Sequence, residues 1–300
     1  MKIKKIIKRL IYYFKTIIIF KIIKNKNFAA LRRIADTSDY LENKRKEKSV
    51  IFWTTHKCAS TYISKFLDLV SKESELRHFD YAGHIWELGD EIKIENPFDI
   101  EINNDFLYRE YGEIYGPMRT PFDFNLRDQL NNIFFLRDPR DLIISLFYSI
   151  AYSHPVPSNE KLKKKFLKKR NLAKKIGLNS FFLKQIDEWV IPCYTKYKYM
   201  RENSKFASFY KYEDLKKDPK KIFLSISKKM KIKITNKLID HLVDSFEKPF
   251  RKNPKKKIKD KFSHTRSGES RQFEREIKKN VLIKANKKIS KILKYWEYKV

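Results

Sequence analysis

The sequence is poor in residues on which several common kinds of site depend. Its 300 residues include only six glycines and two cysteines, Cys58 and Cys193. Two cysteines cannot build the disulfide framework of a small secreted domain, and no C-x-x-C or Cys/His cluster suggests zinc. We therefore expect a reducing, cytoplasmic setting and no bound metal. Nothing in the sequence around Cys58 marks it as a nucleophile, and a small loop residue is the simplest interpretation.

The sequence also lacks an apolar run long enough to cross a bilayer. In residues 1–28 the apolar stretch is interrupted by Lys15 and Lys21, whereas a spanning helix needs about 20 apolar residues. No small-residue cleavage site follows, which argues against a secretory signal. Lysines beside long apolar side chains suit a helix lying on a membrane surface, and a helix packed on the domain suits them equally. We divide the chain into a basic amphipathic N-terminal segment and linker (1–48) and one domain (49–300).

Acidic residues are outnumbered, with 36 Asp and Glu against 68 Lys and Arg and a formal net charge of +32. Such a charge favours anionic partners, including nucleic acid, anionic lipid or a phosphate-rich cofactor, and it does not indicate a fold. The lysines recur in local runs, which fits solvated surface better than specific nucleic-acid contacts. A hydrophobic content of 42% is enough for a sizeable core.

What the sequence does contain is an alternation of short β-like runs with longer helical patterns. The β-like runs lie at 49–55, 131–139 and 205–214, and the helical patterns at 60–72, 139–153, 180–200 and 220–230. This alternation predicts an α/β fold, a three-layer sandwich with a central parallel sheet flanked by helices. Ligands of such folds bind beyond the carboxyl ends of the strands. The loop after the first run and Arg137 after the second should therefore share one rim.

The stretch IFWTTHKCASTYISKF at 51–66 places an apolar strand, a lysine and two hydroxyl residues before a helical pattern. It contains no glycine and so departs from the G-x-x-x-x-G-K-[ST] loop that binds ATP. The unpaired N–H groups of a helix start beside Lys57 would nevertheless suit a phosphate or a sulfate. A strand, a turn and an N-capping hydroxyl account for the same residues.

A second stretch, NNIFFLRDPRDLIISLFYS at 131–149, ends a strand at Arg137 and carries Ser145 on the following helix. The planar fork of arginine suits phosphate oxygens, and a nearby serine can add a hydroxyl. A salt bridge between Arg137 and a neighbouring aspartate is the alternative.

With these two stretches and three later ones, the chain resembles the sulfotransferases that use 3′-phosphoadenosine 5′-phosphosulfate (PAPS). Their T-x-P-K-S-G-T-T-W loop, which grips the 5′-phosphosulfate, aligns with TTHKCASTY at 54–62. His56 stands at the usual proline and Ala59 at the usual glycine. Their R-x-P-x-D motif and its following serine align with Arg137 and Ser145, which the resemblance implies hold the 3′-phosphate.

The three later stretches extend the resemblance to residue 276. YKYEDLKKDPKK resembles the segment whose tyrosine lies against the adenine, and SFEKPFRKNP the one whose serine and phenylalanine border the nucleotide. HTRSGESRQFERE resembles the R-K-G-x-x-G-D-W-K loop that closes on the 3′-phosphate, with Arg271 at the second glycine and Phe273 at the tryptophan. The implied cofactor site consists of Lys57, Cys58, Ala59, Ser60, Thr61, Tyr62, Arg137, Ser145, Tyr212, Ser245, Phe246, Arg266, Ser267 and Gly268.

The resemblance implies a P-loop-like nucleotide-binding architecture and metal-free transfer of a sulfuryl group from PAPS to a hydroxyl or amine, leaving 3′,5′-adenosine bisphosphate (PAP). Lys57 would be catalytic, because it would stabilise the leaving phosphate oxygen. For the general base we favour His84, which follows a glycine, over His78 and Glu87, and a surface role for His84 stays open. Cytosolic members carry a histidine in K-T-H-x-P, and this chain has Arg119 there.

The acceptor is the least constrained part of this hypothesis. An anionic glycan or glycolipid would suit the basic surface, and residues 1–28 would suit contact with a membrane surface. Two alternatives stay open. A P-loop nucleoside-phosphate kinase would need Mg²⁺ and a glycine-bearing loop, and a non-catalytic basic protein would bind nucleic acid or membrane with a steep salt dependence. A sulfotransferase fold without catalysis is also compatible with the replacements at Ala59, Arg119 and Arg271.

Overall fold

A computed structural model describes residues 47–81, 108–157, 160–251 and 269–300, with residues 248–251 described by their backbone alone. Its centre is a sheet of five strands. In chain order these are β1 (Val50–Trp53), β2 (Arg77–Phe79), β3 (Glu113–Met118), β4 (Asn131–Leu136) and β5 (Phe206–Lys211). They lie in the order β2-β3-β1-β4-β5, and each neighbouring pair is parallel.

Helices cover both faces of the sheet, so the predicted three-layer α/β sandwich is confirmed. They are α1 (Ser60–Lys72), α2 (Pro139–Tyr148), α3 (Glu160–Gln185), α4 (Ile191–Asn203), α5 (Tyr212–Lys217), α6 (Pro219–Lys229), α7 (Asn236–Arg251), α8 (Phe273–Glu276) and α9 (Lys279–Tyr295). Five-residue π-helical segments follow α2 (Ser149–Ser153) and α3 (Ile186–Val190). Helix α3 is broken at Gly177, whose φ of 72° is not helical.

The alternating residues of β1 explain the two core layers. Consecutive strand residues point to opposite faces, and all four residues of β1 are fully buried. Phe52 belongs to the layer under α1 and α6, in which the Phe66 and Phe223 rings stack at 4.9 Å. Trp53 belongs to the layer under α4 and α9, where its ring meets that of Tyr197 at 6.3 Å. An all-apolar strand is thus what a sheet covered on both sides requires.

Strand order fixes where a ligand can bind. The chain leaves the central strand β1 for β2 on one side and later reaches β4 on the other side, and open α/β sheets bind ligands at such a reversal. Trp53 pairs with Phe134 of β4. The loop after β1 and Arg137 after β4 therefore emerge side by side, which confirms the shared rim that the sequence predicted.

Strand β3 approaches β1 very closely at one residue. Gly116 has a φ of +123°, and a Cβ added there would lie 2.6 Å from the Phe52 carbonyl oxygen. Because an L side chain at this position would be strained and would collide with backbone, glycine is required here. This glycine interrupts the alternation of β3, and the sequence pattern predicted neither β3 nor β2.

Candidate active site

The loop between β1 and α1 keeps a tight turn without glycine. Lys57 and Ala59 both have positive φ, of 65° and 54°. Ala59 is the N-cap of α1 and has no side-chain capping bond, while its carbonyl accepts the N–H groups of Tyr62 and Ile63 at 2.9 and 3.1 Å. The left-handed conformation costs a non-glycine residue roughly 1–2 kcal/mol. The chain thus holds, at some strain, a loop that presents the start of a helix, where backbone N–H groups can bind an anion.

Lys57 lies half-buried in this loop. Its Nζ donates a hydrogen bond to Ser149 Oγ at 3.4 Å, which ties the loop to the π-helical segment after α2. Burial lowers the pKa of Lys57 from its ordinary value to about 8, and the charge of Arg137 contributes to the shift. An anion bound beside this amine would stabilise its charged form.

Arg137 connects the loop to α5. Its side chain is buried, its Nη1 donates to the Lys57 carbonyl oxygen at 3.2 Å, and its guanidinium lies 4.5 Å from the centre of the Tyr212 ring. The Nε atom is also buried, and within the described part of the chain it has no hydrogen-bond partner. An arginine with a donor to spare can hold a phosphate oxygen.

The aspartates near Arg137 have other partners. Asp138 accepts from the Arg140 side chain, with Nη2 to Oδ2 at 2.7 Å. Asp141 accepts the backbone N–H groups of Arg271 at 2.6 Å and of Phe273 at 3.3 Å. These contacts favour a ligand-holding role for Arg137 over the salt bridge that the sequence left open. They also bring the chain that follows the HTRSG stretch to the start of α2.

Arg271 has a φ of 61°. It therefore adopts the left-handed conformation usually supplied by the glycine whose place it takes. Arg266, Ser267 and Gly268 lie outside the described residues, and so do His84 and Glu87.

Two of the remaining predicted nucleotide contacts, Tyr62 and Phe246, meet at the start of α1. The Tyr62 ring meets the buried Phe246 ring edge-on at 4.9 Å, so α7 is placed against the loop. Ser245 is half-buried next to Phe246, Ser60 is half-buried, and Thr61 is exposed. Ser145 lies half-buried on α2, one helical turn before Ser149.

His78 has a structural set of contacts on β2. Its Nδ1 lies 2.7 Å from Asp68 Oδ1 and its Nε2 lies 2.6 Å from the Gly116 carbonyl oxygen. Since both ring nitrogens are engaged, the ring has no nitrogen left for the proton of an acceptor.

Cys58 is an unreactive thiol. The side chain is fully buried, its Sγ lies 3.5 Å from the Phe135 carbonyl oxygen, and burial raises its pKa to about 12. A thiol that stays protonated is a poor nucleophile. Cys58 can therefore contact a ligand of this loop only through its backbone.

Sequence reasoning missed two residues of this site, Ser149 and Glu213. Ser149 follows Ser145 by four residues, and this helical spacing on one face was the available signal. Glu213 Oε1 accepts the Asp138 N–H at 3.0 Å, and burial raises the pKa of this carboxyl to about 7. Glu213, which follows Tyr212, thus stabilises the turn after Arg137 through this hydrogen bond.

Neither a metal-binding cluster nor a membrane-spanning helix occurs among the described residues. No three or more His, Cys, Asp or Glu side chains among them are grouped to hold a metal ion. None of the helices in these ranges is long and apolar enough to pass through a membrane.

Comparisons with known proteins point in one direction. Residues 118–297, more than half of the chain, match the family described as "Sulfotransferase domain". The match starts at the end of β3, so the Lys57 loop precedes it. Mouse sulfotransferase SULT7A1, solved with PAP, shares 13% identity and a TM-score of 0.56, over 85% of this chain and 87% of that one.

The likeness to the mouse sulfotransferase shows a shared fold.

Retinol dehydratase, solved with retinol and PAP, has 14% identity over 89% of this chain and 87% of that one. Its TM-score is 0.49. No curated protein matches the chain in sequence.

Proposed function

This chain belongs to the sulfotransferase family, as its sequence predicted, and we propose that it transfers a sulfuryl group from PAPS to a hydroxyl or amine of an acceptor. One observation carries the proposal. At the rim where β1 and β4 end, Arg137 joins the Lys57 loop to the Tyr212 ring by a hydrogen bond of 3.2 Å and a ring contact of 4.5 Å.

The described residues fit an anionic nucleotide as donor. The start of α1 has no capping side chain, Lys57 is a half-buried cation, and Arg137 Nε is a buried donor with no partner in the described ranges. We propose that Lys57 and the loop backbone hold the 5′-phosphosulfate and that Arg137 and Ser145 hold the 3′-phosphate. Tyr212, Ser245 and Phe246 would border the adenosine, and Arg266, Ser267 and Gly268 would contact the 3′-phosphate.

When bound, PAPS supplies the sulfuryl group together with a phosphate leaving group. The part of the protein is then to position the partners and to neutralise charge, as in phosphoryl transfer. Lys57 would stabilise the negative charge that develops on the leaving oxygen. A base must take the proton of the acceptor. His84 and Glu87 remain the candidates from the predicted segment, since both ring nitrogens of His78 are engaged.

A hydroxyl-bearing acceptor follows from the family, and we propose an anionic glycan or glycolipid in particular. The support is the net charge of +32, which favours negatively charged partners. The basic N-terminal segment, residues 1–28, would hold the enzyme near a membrane surface if the acceptor is a lipid. That segment lies outside the described residues.

The donor can be tested without knowing the acceptor, by comparing thermal unfolding with PAP, ADP and ATP plus magnesium at two salt concentrations. A ligand at a hundred times its dissociation constant adds about 2.7 kcal/mol, which for a domain of this size means several degrees, at about 2–4 °C per kcal/mol. We expect PAP to raise Tm without metal. A larger rise with Mg-ATP would favour a kinase, and rises that vanish with salt for all three nucleotides would favour a non-specific polyanion binder.

The pKa of Lys57 gives a second test. In the free protein, burial lowers this pKa to about 8, so the amine is largely neutral near pH 9. A bound phosphate should return the pKa toward its ordinary range, and PAP binding near pH 9 should therefore take up nearly one proton. Calorimetry in two buffers of different ionisation enthalpy measures this uptake.

The matched control is Lys57→Arg, because a guanidinium is charged at every accessible pH and should bind PAP without uptake. Little uptake is expected near pH 7 even in the unaltered chain, since Lys57 is already charged there. Equal uptake by the unaltered chain and the variant near pH 9 would place the proton elsewhere and remove Lys57 from contact with the phosphate.

A further inference from the structure

The carboxylate of Asp138, the residue that directly follows Arg137, is bound on both oxygens by the side chain of Arg140. Arg140 Nε donates to Oδ1 at 2.9 Å, and Nη2 donates to Oδ2 at 2.7 Å. Oδ1 also accepts the Arg140 backbone N–H at 3.0 Å, so that Asp138 caps the start of α2. Two parallel bonds between a guanidinium and a carboxylate make one of the strong ion pairs found in proteins.

Arg140 is fixed in this position by three other parts of the chain. Its Nη1 donates to Asn286 Oδ1 on α9 at 3.2 Å, its Nη2 donates to the Lys299 carbonyl oxygen at 2.5 Å, and its guanidinium lies 4.0 Å from the centre of the Phe273 ring. Together with the two bonds to Asp138, these contacts use four of the five N–H donors of the guanidinium. Arg140 is 2% exposed, and a side chain so enclosed can act on a nucleotide only through the groups that it holds.

The pairing of Asp138 with Arg140 leaves Arg137 without an acidic partner. Among the described residues no carboxylate forms an ion pair with Arg137, and its buried Nε has no hydrogen-bond partner there. Asp141, the other aspartate of this turn, accepts the backbone N–H groups of two residues that precede α9. Arg137 therefore offers its guanidinium at the position where the proposed 3′-phosphate would bind.

Without Arg140, the carboxylate of Asp138 would compete with the nucleotide for Arg137. A buried carboxylate that loses its cation is costly and gains from any other cation that can reach it. Arg137 is the adjacent residue in the chain and is buried at the same turn, so its guanidinium is the cation that would take the place of Arg140. A phosphate would then have to displace the carboxylate first, and the observed affinity falls with the fraction of protein that is ready to bind.

Resting on the proposed use of PAPS, we propose that Arg140 is a positioning residue for the 3′-phosphate, which occupies Asp138 and thereby keeps Arg137 available to the nucleotide. The sequence RDPR at 137–140 thus contains one arginine that binds the ligand and a second one that binds the aspartate between them. The contacts of Arg140 with Asn286 and Lys299 hold this second arginine in place, so α9 and the residues after it support donor binding indirectly.

The first test compares two ligands by calorimetric titration into the full chain and into Arg140→Gln, which removes the charge and keeps a polar amide. The ligands are PAP and adenosine 5′-phosphate, which has no 3′-phosphate. The Kd for PAP should rise at least about tenfold, as when a hydrogen bond to a charged group is lost, while the Kd for adenosine 5′-phosphate stays within about threefold. An unchanged affinity for PAP, or equal losses for the two ligands, would overturn the proposal.

The second test asks whether removing the competing carboxylate restores binding. In Asp138→Asn/Arg140→Gln the aspartate is gone, and asparagine still caps a helix. This double variant should recover most of the PAP affinity that Arg140→Gln loses, although the contacts of Arg140 with α9 and Phe273 stay absent. A double variant that binds PAP as weakly as Arg140→Gln would show that Arg140 only supports the fold, and the proposal would be wrong.

Arg127→Gln is the matched control. Arg127 is also a buried arginine paired with two aspartates, Asp123 at 3.2 Å and Asp128 at 2.6 Å. It lies before the start of β4, whereas Arg137 follows the end of that strand. Arg127→Gln should therefore lower Tm without changing the ratio of the two affinities. A selective loss of PAP affinity in this control would overturn the proposal, because any unpaired buried aspartate would then have the same effect.

Arg140→Lys replaces Arg140→Gln if the latter does not fold. Lysine keeps the charge but lacks the fork that binds both oxygens of Asp138, so it should show the same selective loss for PAP at smaller size, and unchanged affinities for both ligands would overturn the proposal. The failure of the proposed function would look different. If PAP neither binds nor raises Tm in the unaltered chain, the sulfotransferase proposal fails together with the role of Arg140. If PAP binds and no Arg140 variant loses it selectively, only the role of Arg140 fails.

Discussion

Lys57→Ala should lower the rate of sulfuryl transfer by at least about a hundredfold, because one donor aimed at developing charge is typically worth a factor of 10² to 10³. The amine is the cation in the loop before α1, and its nearest side-chain partner is Ser149 Oγ at 3.4 Å. Truncation removes the group that would balance charge on the leaving oxygen while leaving the backbone of the loop in place. Hydrolysis of PAPS by purified variants measures the effect.

The fold should survive this change. The pKa of Lys57 is lower in the folded chain, at about 8, than its ordinary value of 10.5. Such a group opposes folding fully below pH 8, and the effect fades as the pH rises through 10.5. Lys57→Ala should therefore be no less stable than the unaltered chain near pH 7, and Lys57→Arg serves as the charged control. If Lys57→Ala is folded, binds PAP and hydrolyses PAPS at the full rate, the proposed role of the loop is wrong.

The fold class was predictable because the two central strands that carry the site, β1 and β4, are runs of mostly apolar residues. β1 and β4 are buried on both faces, and their runs of large apolar residues stand out between helical patterns. β3 contains Gly116 and Pro117, which break the pattern, and the strand exists because that glycine allows close contact with Phe52. A sequence pattern reports burial and periodicity, and it does not report a close approach between two backbones.

The sequence pattern also did not predict helices α7 and α9, and for α9 the cause lies in its many lysines. Lysines interrupt the apolar positions of α9, and the helix is defined by the few that reach the core, Ala285, Ile289 and Leu293. Their spacing of four residues is a helical signal. This signal is weak by itself. The structure shows why the helix forms, because its apolar residues pack in the same core layer as Tyr197 and Trp296.

The candidate site was predictable where strand order alone brings residues together. The residues of the Lys57 loop and Arg137 lie together, because strand order brings the ends of β1 and β4 to one rim. Contacts that depend on how a helix approaches the loop could not be read from the sequence. The hydrogen bond from Lys57 to Ser149, for example, depends on the position of the segment that follows α2.

Arg137→Ala should weaken PAP binding by roughly 10- to 150-fold, because a hydrogen bond to a charged group is worth about 1.5–3 kcal/mol. Arg137 is 4% exposed and its buried Nε has no partner in the described ranges, so this nitrogen could donate to a phosphate oxygen. The substitution also removes the donor to the Lys57 carbonyl oxygen and the partner of the Tyr212 ring. Affinity for PAP alone would therefore mix a lost contact with a disturbed loop.

A second ligand separates these two effects. Adenosine 5′-phosphate lacks the 3′-phosphate and shares the rest of PAP, so calorimetric titration of both ligands into both proteins gives a double-difference cycle. If Arg137 holds the 3′-phosphate, Arg137→Ala should lose affinity for PAP and keep nearly the same affinity for adenosine 5′-phosphate. Arg137→Lys, which keeps the charge without the planar fork, should fall between the two for PAP. Equal losses for both ligands would show that Arg137 acts by supporting the loop and Tyr212, and the 3′-phosphate would then need another partner.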